Sequence, residues 1–520
     1  MSNTLLLPIL GNEVGHATRD ASPFLQRLET LRRRLLELDE QAAVDRFEPG
    51  PHDRLLKSTI SLCPVCLEHV EALIFSRDER VWIRKRCPNH GPSTALLEND
   101  ERFYFLSNKD HWGRRYAEDR VLEFPHFGGG CCGGDSGCGA AQPTATNAFD
   151  FTDQMGNKTC TVLVEITNAC NLSCKVCYSD ARGDRVMPAE LLERYIQRLI
   201  AEKGTLDSVQ LTGGEAVLHP QFWEIAAFLC RQDGVRKIYL PTNGLLFARR
   251  ENAEKLVPFR EKLMVLLQFD GHSPQANHNL RSANPVAARQ RVIAHLADLG
   301  IVMQLTMTLT KGVNDDEVGW VIDTAMRHPH IKVAALQPAT YSGRYDLKRD
   351  PIDRLTLSDV VKAVVRQAKV RMRNEDFVPI PCSHPNCGWL TLFVRRFGLK
   401  LNVARHIDVG AVTNQVAYKT VLTQQEIRSM VGTAKRSVWS RVVGSIGRRA
   451  VRPTDLFGIA VKPFMDCFNY DQDRISNCCH HLMDTQGRPV SFCEYNARLR
   501  PADSWESFPL LTPQSTSQQD

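Results

Sequence analysis

Two periodicities divide the chain. Residues 22–44 place Phe24, Leu28, Leu31, Leu35 and Leu36 at helical spacing among arginines and glutamates, which predicts a peripheral amphipathic helix. From residue 160 the pattern changes to six short apolar runs: Thr161–Thr167, Ser208–Gly214, Lys237–Gly244, Met264–Gly271, Val302–Leu309 and Val333–Thr340. Helical spacing fills the gaps between them, as in Pro188–Glu202 and Pro220–Gln232. Strands that alternate with helices predict a parallel sheet, because parallel neighbours need a crossover. Six such units predict an α/β fold, a partial (β/α)6-type barrel over residues 160–374. Asn168, Glu215, Asn243, Asp270 and Gln337 fall at the C-terminal ends of these strands, where parallel α/β folds bind ligands. The remaining chain divides into an N-terminal helical segment (1–56), a cysteine-bearing module with short strands (57–127) and a Gly/Cys-rich linker (128–159). A second cysteine-bearing region (375–506) and a polar tail read as disordered (507–520) follow the barrel.

Composition narrows the class without naming a function. A chain of 520 residues, 43% hydrophobic and 24% charged, can bury a sizeable core. The net charge of +6 is too weak to predict a nucleic-acid partner and mildly favours an anionic ligand or a membrane surface. The N-terminus has no basic n-region, and its apolar stretch Leu5–Leu10 is broken by Pro8, which is too short for an export signal. No run of 18 apolar residues predicts a spanning helix. Seventeen cysteines in a chain read as cytoplasmic therefore point to metal or redox sites rather than disulfides.

The most specific signal is Cys170-Asn-Leu-Ser-Cys174-Lys-Val-Cys177-Tyr178, directly after the first barrel strand. Three thiolates so close in sequence can wrap three corners of one iron–sulfur cubane, leaving the fourth iron open for chemistry. A zinc knuckle would favour paired CxxC elements with distant partners. The CxxxCxxC pattern, followed by Thr212-Gly213-Gly214-Glu215 after the second strand, resembles the radical S-adenosylmethionine (SAM) superfamily. That resemblance implies a catalytic 4Fe–4S cluster on Cys170, Cys174 and Cys177, with SAM bound at its open iron. It implies that Gly213 and Gly214 let backbone approach the methionine part of SAM and that Glu215 holds its ammonium. Tyr178 would face the adenine, and Asn243, Gln268 and Asp270 sit where further SAM contacts fall. The implied chemistry is reductive cleavage of SAM to a 5′-deoxyadenosyl radical that functionalises an unactivated C–H bond. An external low-potential donor of flavodoxin or ferredoxin type would supply the electron.

Further cysteines lie outside the barrel. Cys63-Pro-Val-Cys66 and Cys87-Pro-Asn-His90-Gly91 form two knuckles suited to one tetrahedral ion, in a rubredoxin-like or zinc-ribbon-like module. Three sulfurs with His90 suit zinc as well as iron, or His90 is a bystander. Cys131, Cys132 and Cys138 lie in the Gly128–Ala140 loop, and Cys160 follows. Cys382 and Cys387 share a Cys-Ser-His-Pro-Asn-Cys segment, and Cys467, Cys478, Cys479 and Cys493 close the chain. These thiols are enough for two auxiliary clusters, although Cys230 and Cys467 also read as buried free cysteines. Taken together, the outer motifs resemble the branch of the superfamily that contains tetraether lipid synthase and the methanopterin-pathway pterin methyltransferase. That branch carries a second CxxxCxxC before the barrel, whereas here Asp135 takes the middle position, or Ser136 in a shifted alignment. The branch implies auxiliary 4Fe–4S clusters, with Cys382, Cys387, Cys478 or Cys479, and Cys493 as ligands of one.

For the substrate, two chemistries stay open: methyl or one-carbon transfer to a pterin-like small molecule, and coupling or modification of lipid alkyl chains. The basic stretch Arg428–Arg452, with Trp439, Val442, Val443 and Ile446 interleaved, suits a peripheral membrane contact, a phosphate site or a solvated face equally. The first chemistry is favoured, because no strongly hydrophobic docking segment is present. An iron–sulfur electron carrier is the alternative from another class, opposed by Glu215 and the missing fourth thiolate.

Overall fold

The computed structural model describes residues 23–104, 127, 159–347, 350–380, 383–396, 398–403 and 455–511. Residues 22–44 are not one helix: Pro23–Leu36 ends before a second helix, Glu40–Phe47. The break falls where the Asp39 carboxylate accepts from the Ala42 amide at 2.7 Å and caps a new N-terminus. The apolar stripe of these helices, Leu28, Leu35, Ala43 and Phe47, packs on Ile60, Leu73 and Phe75. Those residues belong to an antiparallel sheet of β1 (Arg54–Leu62), β2 (His69–Arg77), β3 (Arg80–Cys87) and β4 (Gly91–Glu98), in that order. Every residue of β1 after Arg54 is buried, polar ones included. One face meets the helices, and the other meets the C-terminal region, where Lys57 lies 3.0 Å from Asp471 and also bonds Asp473. Such a buried cluster holds the module in place only while every charge is partnered.

The central strands are β5 (Thr161–Thr167), β7 (Leu206–Gly213), β8 (Val235–Thr242), β9 (Leu263–Gln268), β10 (Val302–Leu309) and β11 (Ile331–Pro338). They are parallel neighbours in chain order, as the six apolar runs predict. Amphipathic helices such as Ala189–Lys203 and Phe222–Arg231 bury Leu192, Ile196, Leu199, Ile225 and Leu229 against the outer face. Between β5 and the first helix, β6 (Val176–Cys177) pairs with β12 (Arg344–Tyr345).

Past residue 374 the chain enlarges this same sheet. β13 (Val378–Pro379), β14 (Trp389–Arg396), β15 (Leu399–Asn402) and β16 (Leu456–Val461) add beyond β11, with β16 parallel to β11 and β14 antiparallel to β16. β17 (His480–Met483) joins the other edge parallel to β5, and β18 (Pro489–Ser491) pairs with it. Ile380, next to β13, packs on Cys160 and Cys479 beside β5 and β17. The two ends of the curved sheet therefore meet through side chains, and the barrel encloses a cavity. Among the described residues no helix is long and apolar enough to cross a membrane.

Candidate functional site

Cys170, Cys174 and Cys177 follow β5 and line one cavity of about 560 Å³ inside the barrel. The loop that carries them is pinned along its length. The Lys175 amide donates to the Leu280 carbonyl at 2.9 Å, Cys177 sits in register with Arg344, and the Arg185 amide donates to Asn168 Oδ1 at 2.7 Å. Burial pushes the Cys170 thiol up to about 12, and the charges of Glu215, Cys174 and Cys177 add to the shift. Burial also acts on Cys177, but the Ser179 hydroxyl at 3.3 Å and the amides of Ala181 and Ser179 hold it below the ordinary thiol value. A cationic metal is the partner that would deprotonate the whole set. No fourth cysteine is among the described residues lining this cavity, so the donors fit a cluster with one open iron.

The Gly213-Gly214-Glu215 segment lies against the start of the cysteine loop. The Gly214 amide donates to Thr167 O and the Glu215 amide to Ala169 O, each at 2.8 Å. Gly213 has φ +126°, and a Cβ there would lie 2.0 Å from Thr167 O; one on Gly214 would lie 1.9 Å from Ala169 O. Only glycine permits this approach, which puts the Glu215 carboxylate beside Cys170. Glu215 is 3% exposed. Its oxygens accept from Thr242 Oγ1 at 2.7 Å and from the Asn243 amide at 2.8 Å. Burial outweighs these bonds and raises its carboxyl to about 7.

The other residues expected to contact SAM divide. Tyr178, Asn243 and Gln268 line the cavity, and Asn243 Nδ2 also donates to Asn171 Oδ1 at 2.7 Å. Asp270 is fully buried and is not part of the lining. It accepts from Arg281 Nε and Nη2 at 2.8 Å, Arg289 Nη1 at 3.3 Å, the Thr308 amide at 3.0 Å and Gln268 Nε2 at 2.7 Å. Burial alone would raise its carboxyl, but the two guanidinium groups hold it at about 2. Asp270 therefore positions the cavity-lining Arg281, Arg289 and Gln268 and makes no direct contact with the cavity.

Cys63, Cys66, Cys87 and His90 form a second group, with all four ligand atoms within 4.8 Å of one another. Cys66 Sγ and Cys87 Sγ are 3.9 Å apart, and His90 Nδ1 is 3.7 Å from Cys63 Sγ and 3.5 Å from Cys87 Sγ. A zinc tetrahedron with ordinary Zn–S bonds has edges of about 3.8 Å, so the geometry fits one ion with His90 included. In the C-terminal region Cys387, Cys478 and Cys493 are electrostatic neighbours, and burial followed by the Cys478 charge pushes Cys493 up to about 12. Arg474 Nε donates to Cys387 Sγ at 3.5 Å. Cys479 instead faces Cys160, with sulfurs 2.6 Å apart. Cys467 is buried near Lys85, and Cys230 packs partly buried on the main core. Cys131, Cys132, Asp135, Ser136, Cys138, Cys382 and Arg428–Arg452 lie outside the described residues.

Of the inward polar residues, the sequence reading named Gln268 and Gln337 and missed Gln210, Gln304, Thr306, Thr308 and Lys462. Gln210, Gln268, Gln304, Thr306, Thr308 and Gln337 all face this cavity from β7, β9, β10 and β11, and Lys462 lines it just after β16. The available signal was a polar residue at alternate positions inside otherwise apolar runs, as in Gln304-Leu-Thr306-Met-Thr308.

Comparisons with known proteins follow the same division. Residues 164–325 match the family model described as "Radical SAM superfamily", and residues 55–99 match "HMPTM N-terminal zinc ribbon domain". The chain is similar to 7,8-dihydro-6-hydroxymethylpterin dimethyltransferase of Methanocaldococcus jannaschii, 27% identical over 496 residues that cover 85% of this chain and 93% of that one. It is also similar to GTP 3′,8-cyclase of Aquifex aeolicus, 28% identical over 163 residues, 30% of this chain and 49% of the relative. Among solved structures, a radical SAM methyltransferase from Sphaerobacter thermophilus aligns with a TM-score of 0.30 and 13% identity, over 67% of this chain and 85% of that one.

Proposed function

This chain carries a radical SAM domain across residues 164–325 and is a radical SAM enzyme, and from that premise we propose that it transfers a methyl or other one-carbon unit to a pterin-like heterocycle. In this reading Cys170, Cys174 and Cys177 hold the cluster. Gly213 and Gly214 admit the methionine part of SAM, and Glu215 accepts hydrogen bonds from its amino group. Tyr178, Asn243 and Gln268 complete the contact, and Arg281 and Arg289 are held ready by Asp270. A 4Fe–4S cluster held there would supply the electron for reductive cleavage of SAM, the source of a 5′-deoxyadenosyl radical able to take hydrogen from an unactivated carbon. The barrel wall keeps water from the reacting atoms, and the pinned cysteine loop fixes the direction of attack.

The observation that carries the choice of substrate is the set of carboxamides inside the barrel. Gln304 Nε2 donates to Thr306 Oγ1 at 3.0 Å, and Gln268 Nε2 donates to Asp270 Oδ1 and to Thr308 Oγ1. Their amide oxygens are the acceptors left for a ligand, and Gln210 and Gln337 add two more carboxamides. A heterocycle with N–H and C=O edges answers such groups. An alkyl chain would leave them unsatisfied at a cost of about 1–3 kcal/mol each. The resemblance to a pterin dimethyltransferase along most of the chain supports the same class.

The same reading gives the Cys63, Cys66, Cys87 and His90 group one zinc or iron ion. It gives Cys387, Cys478 and Cys493 an auxiliary cluster, with Cys382 as the fourth ligand. Cys160 and Cys479, with Cys131 and Cys138, are ligands of a second. A flavodoxin- or ferredoxin-type donor delivers electrons in the cytoplasm, and Arg428–Arg452 is the segment for any membrane contact.

The test is anaerobic reconstitution with iron and sulfide, reduction, and addition of SAM with 7,8-dihydro-6-hydroxymethylpterin, followed by mass spectrometry. The expected products are 5′-deoxyadenosine and a pterin heavier by one-carbon units, both absent in Cys174→Ala. Deuterium passing into 5′-deoxyadenosine from a lipid chain, with no change in any pterin, would replace this reading by alkyl-chain chemistry.

A further inference from the structure

The charged groups that line the barrel cavity do not balance. Glu215 is the only carboxylate among the described residues lining it, and it serves the cysteine end. Of the cations on the wall, Arg281 and Arg289 share the single carboxylate of Asp270 at the cysteine end, where Arg281 neighbours Cys174, and Arg344 faces Asp180, which Arg182 also meets. Lys462 is different. It sits just past the C-terminal end of β16, where its amide donates to the Leu336 carbonyl at 2.9 Å beside Gln337. No carboxylate of the described residues pairs with its ammonium, which lies over the Phe464 ring, 5.3 Å from Nζ to centroid. Its polar neighbours across the seam are Cys478 and His480. A cation–π contact attracts an ammonium without neutralising it, and the field of Cys478, a thiol that the reading above gives to an auxiliary cluster, reaches it from the seam. The ammonium is half-buried on the cavity wall, so an anion that enters the cavity meets it without first displacing a carboxylate of the described residues.

The path from Lys462 to the cysteine loop is aromatic. Phe464 and Phe492 lie 4.6 Å apart between ring centroids, and Phe492 meets Tyr178 edge to face at 5.1 Å. Phe464, Phe492 and Tyr178 all line the cavity. A flat heterocycle stacked on Phe464 and Phe492 has the carboxamides of Gln304 on β10 and Gln337 on β11 for its polar edge and Lys462 for a substituent at its end.

We propose that Lys462 is the anchor for an anionic substituent, a carboxylate or phosphate, carried by the heterocyclic substrate. The inference rests on the pterin-like reading above and adds to it a preference for a substrate that bears an anionic substituent. An ammonium–anion hydrogen bond inside the cavity forms with a pterin acid or pterin phosphate and is absent with a neutral hydroxymethyl group.

Two fluorescent pterins test this on the anaerobic, cluster-loaded, full-length enzyme: pterin-6-carboxylate and 6-hydroxymethylpterin, titrated in the presence of SAM. The wild type is expected to bind the carboxylate at least tenfold more tightly. Lys462→Gln is expected to bring the two within twofold, and Lys462→Arg to keep the preference. Iron content and melting temperature establish that the variants are folded and loaded. Equal binding of the two pterins by the wild type overturns the anchor while leaving the heterocycle reading intact, and so does a preference that survives in Lys462→Gln. Binding of neither pterin overturns both. The wild-type comparison decides the matter even if a variant fails to fold.

Discussion

Glu215 offers a perturbation whose size follows from its surroundings. Its carboxyl is raised from 4.5 to about 7 because burial disfavours the ionised form more than Thr242 and Asn243 favour it. The folded chain therefore binds this proton more tightly than the unfolded chain. The resulting stability is complete below pH 4.5 and is lost as pH rises through 7. Between pH 6 and pH 8 the unfolded carboxyl is already ionised, while the folded one passes from about nine-tenths protonated to about one-tenth. This removes about 1.4 kcal/mol of folding stability from the metal-free protein. Glu215→Gln carries no such proton. Its stability, measured by denaturant titration, should fall by about 1.4 kcal/mol less than the wild type's over this interval, and the difference cancels every other titrating group. The same proton competes with ligand. SAM binding to the cluster-loaded wild type, left unreduced so that SAM is not cleaved, should weaken as pH falls from 8 to 6, since it draws on the ionised fraction. Glu215→Gln should bind SAM weakly at both. Parallel stability profiles for the two proteins would refute the raised Glu215 carboxyl, and a SAM affinity that is flat or stronger at pH 6 would refute its assignment to the amino end of SAM.

Three further outcomes follow from the same geometry. Gly214→Ala places a Cβ 1.9 Å from Ala169 O, so backbone must move; about 1–3 kcal/mol of stability should be lost, and calorimetric SAM binding should weaken more than tenfold. Asp270→Asn leaves Arg281 and Arg289 buried without a counter-charge. It should cost about 3–5 kcal/mol in urea unfolding, with no pH dependence from this pair above pH 5, because Asp270 titrates at about 2. Cys87→Ser should remove one metal equivalent per chain by elemental analysis and lower the melting temperature, because an ion on Cys63, Cys66, Cys87 and His90 would cross-link the two knuckles; full metal occupancy would exclude Cys87 as a ligand.

Features that depend on local order were legible in the sequence. Six apolar runs separated by helical spacing identify a parallel α/β core, because the chain must alternate elements to bury both sheet faces. The CxxxCxxC spacing brings its thiols together because eight residues after a strand can reach only a small volume, and the cavity is lined by all three. The double glycine before Glu215 has a local cause as well, a strand end pressed against backbone. What tertiary structure alone decided is how distant segments meet. Residues past 374 read as a separate region, yet β14 and β16 extend the sheet at one end and β17 at the other, since edge strands accept any partner that supplies hydrogen bonds and a matching apolar face. Asp270, read as a SAM contact, turns inward to Arg281 and Arg289 because the strand pleat and the following helices set its direction. Cys478 and Cys479 are adjacent in sequence but face different partners, because successive side chains entering a strand point to opposite sides. Lys462 and the four glutamines share no motif and no neighbourhood in the chain. Closure of the barrel is what aims them at one cavity, and a linear pattern carries no record of which inward faces will end up opposite one another.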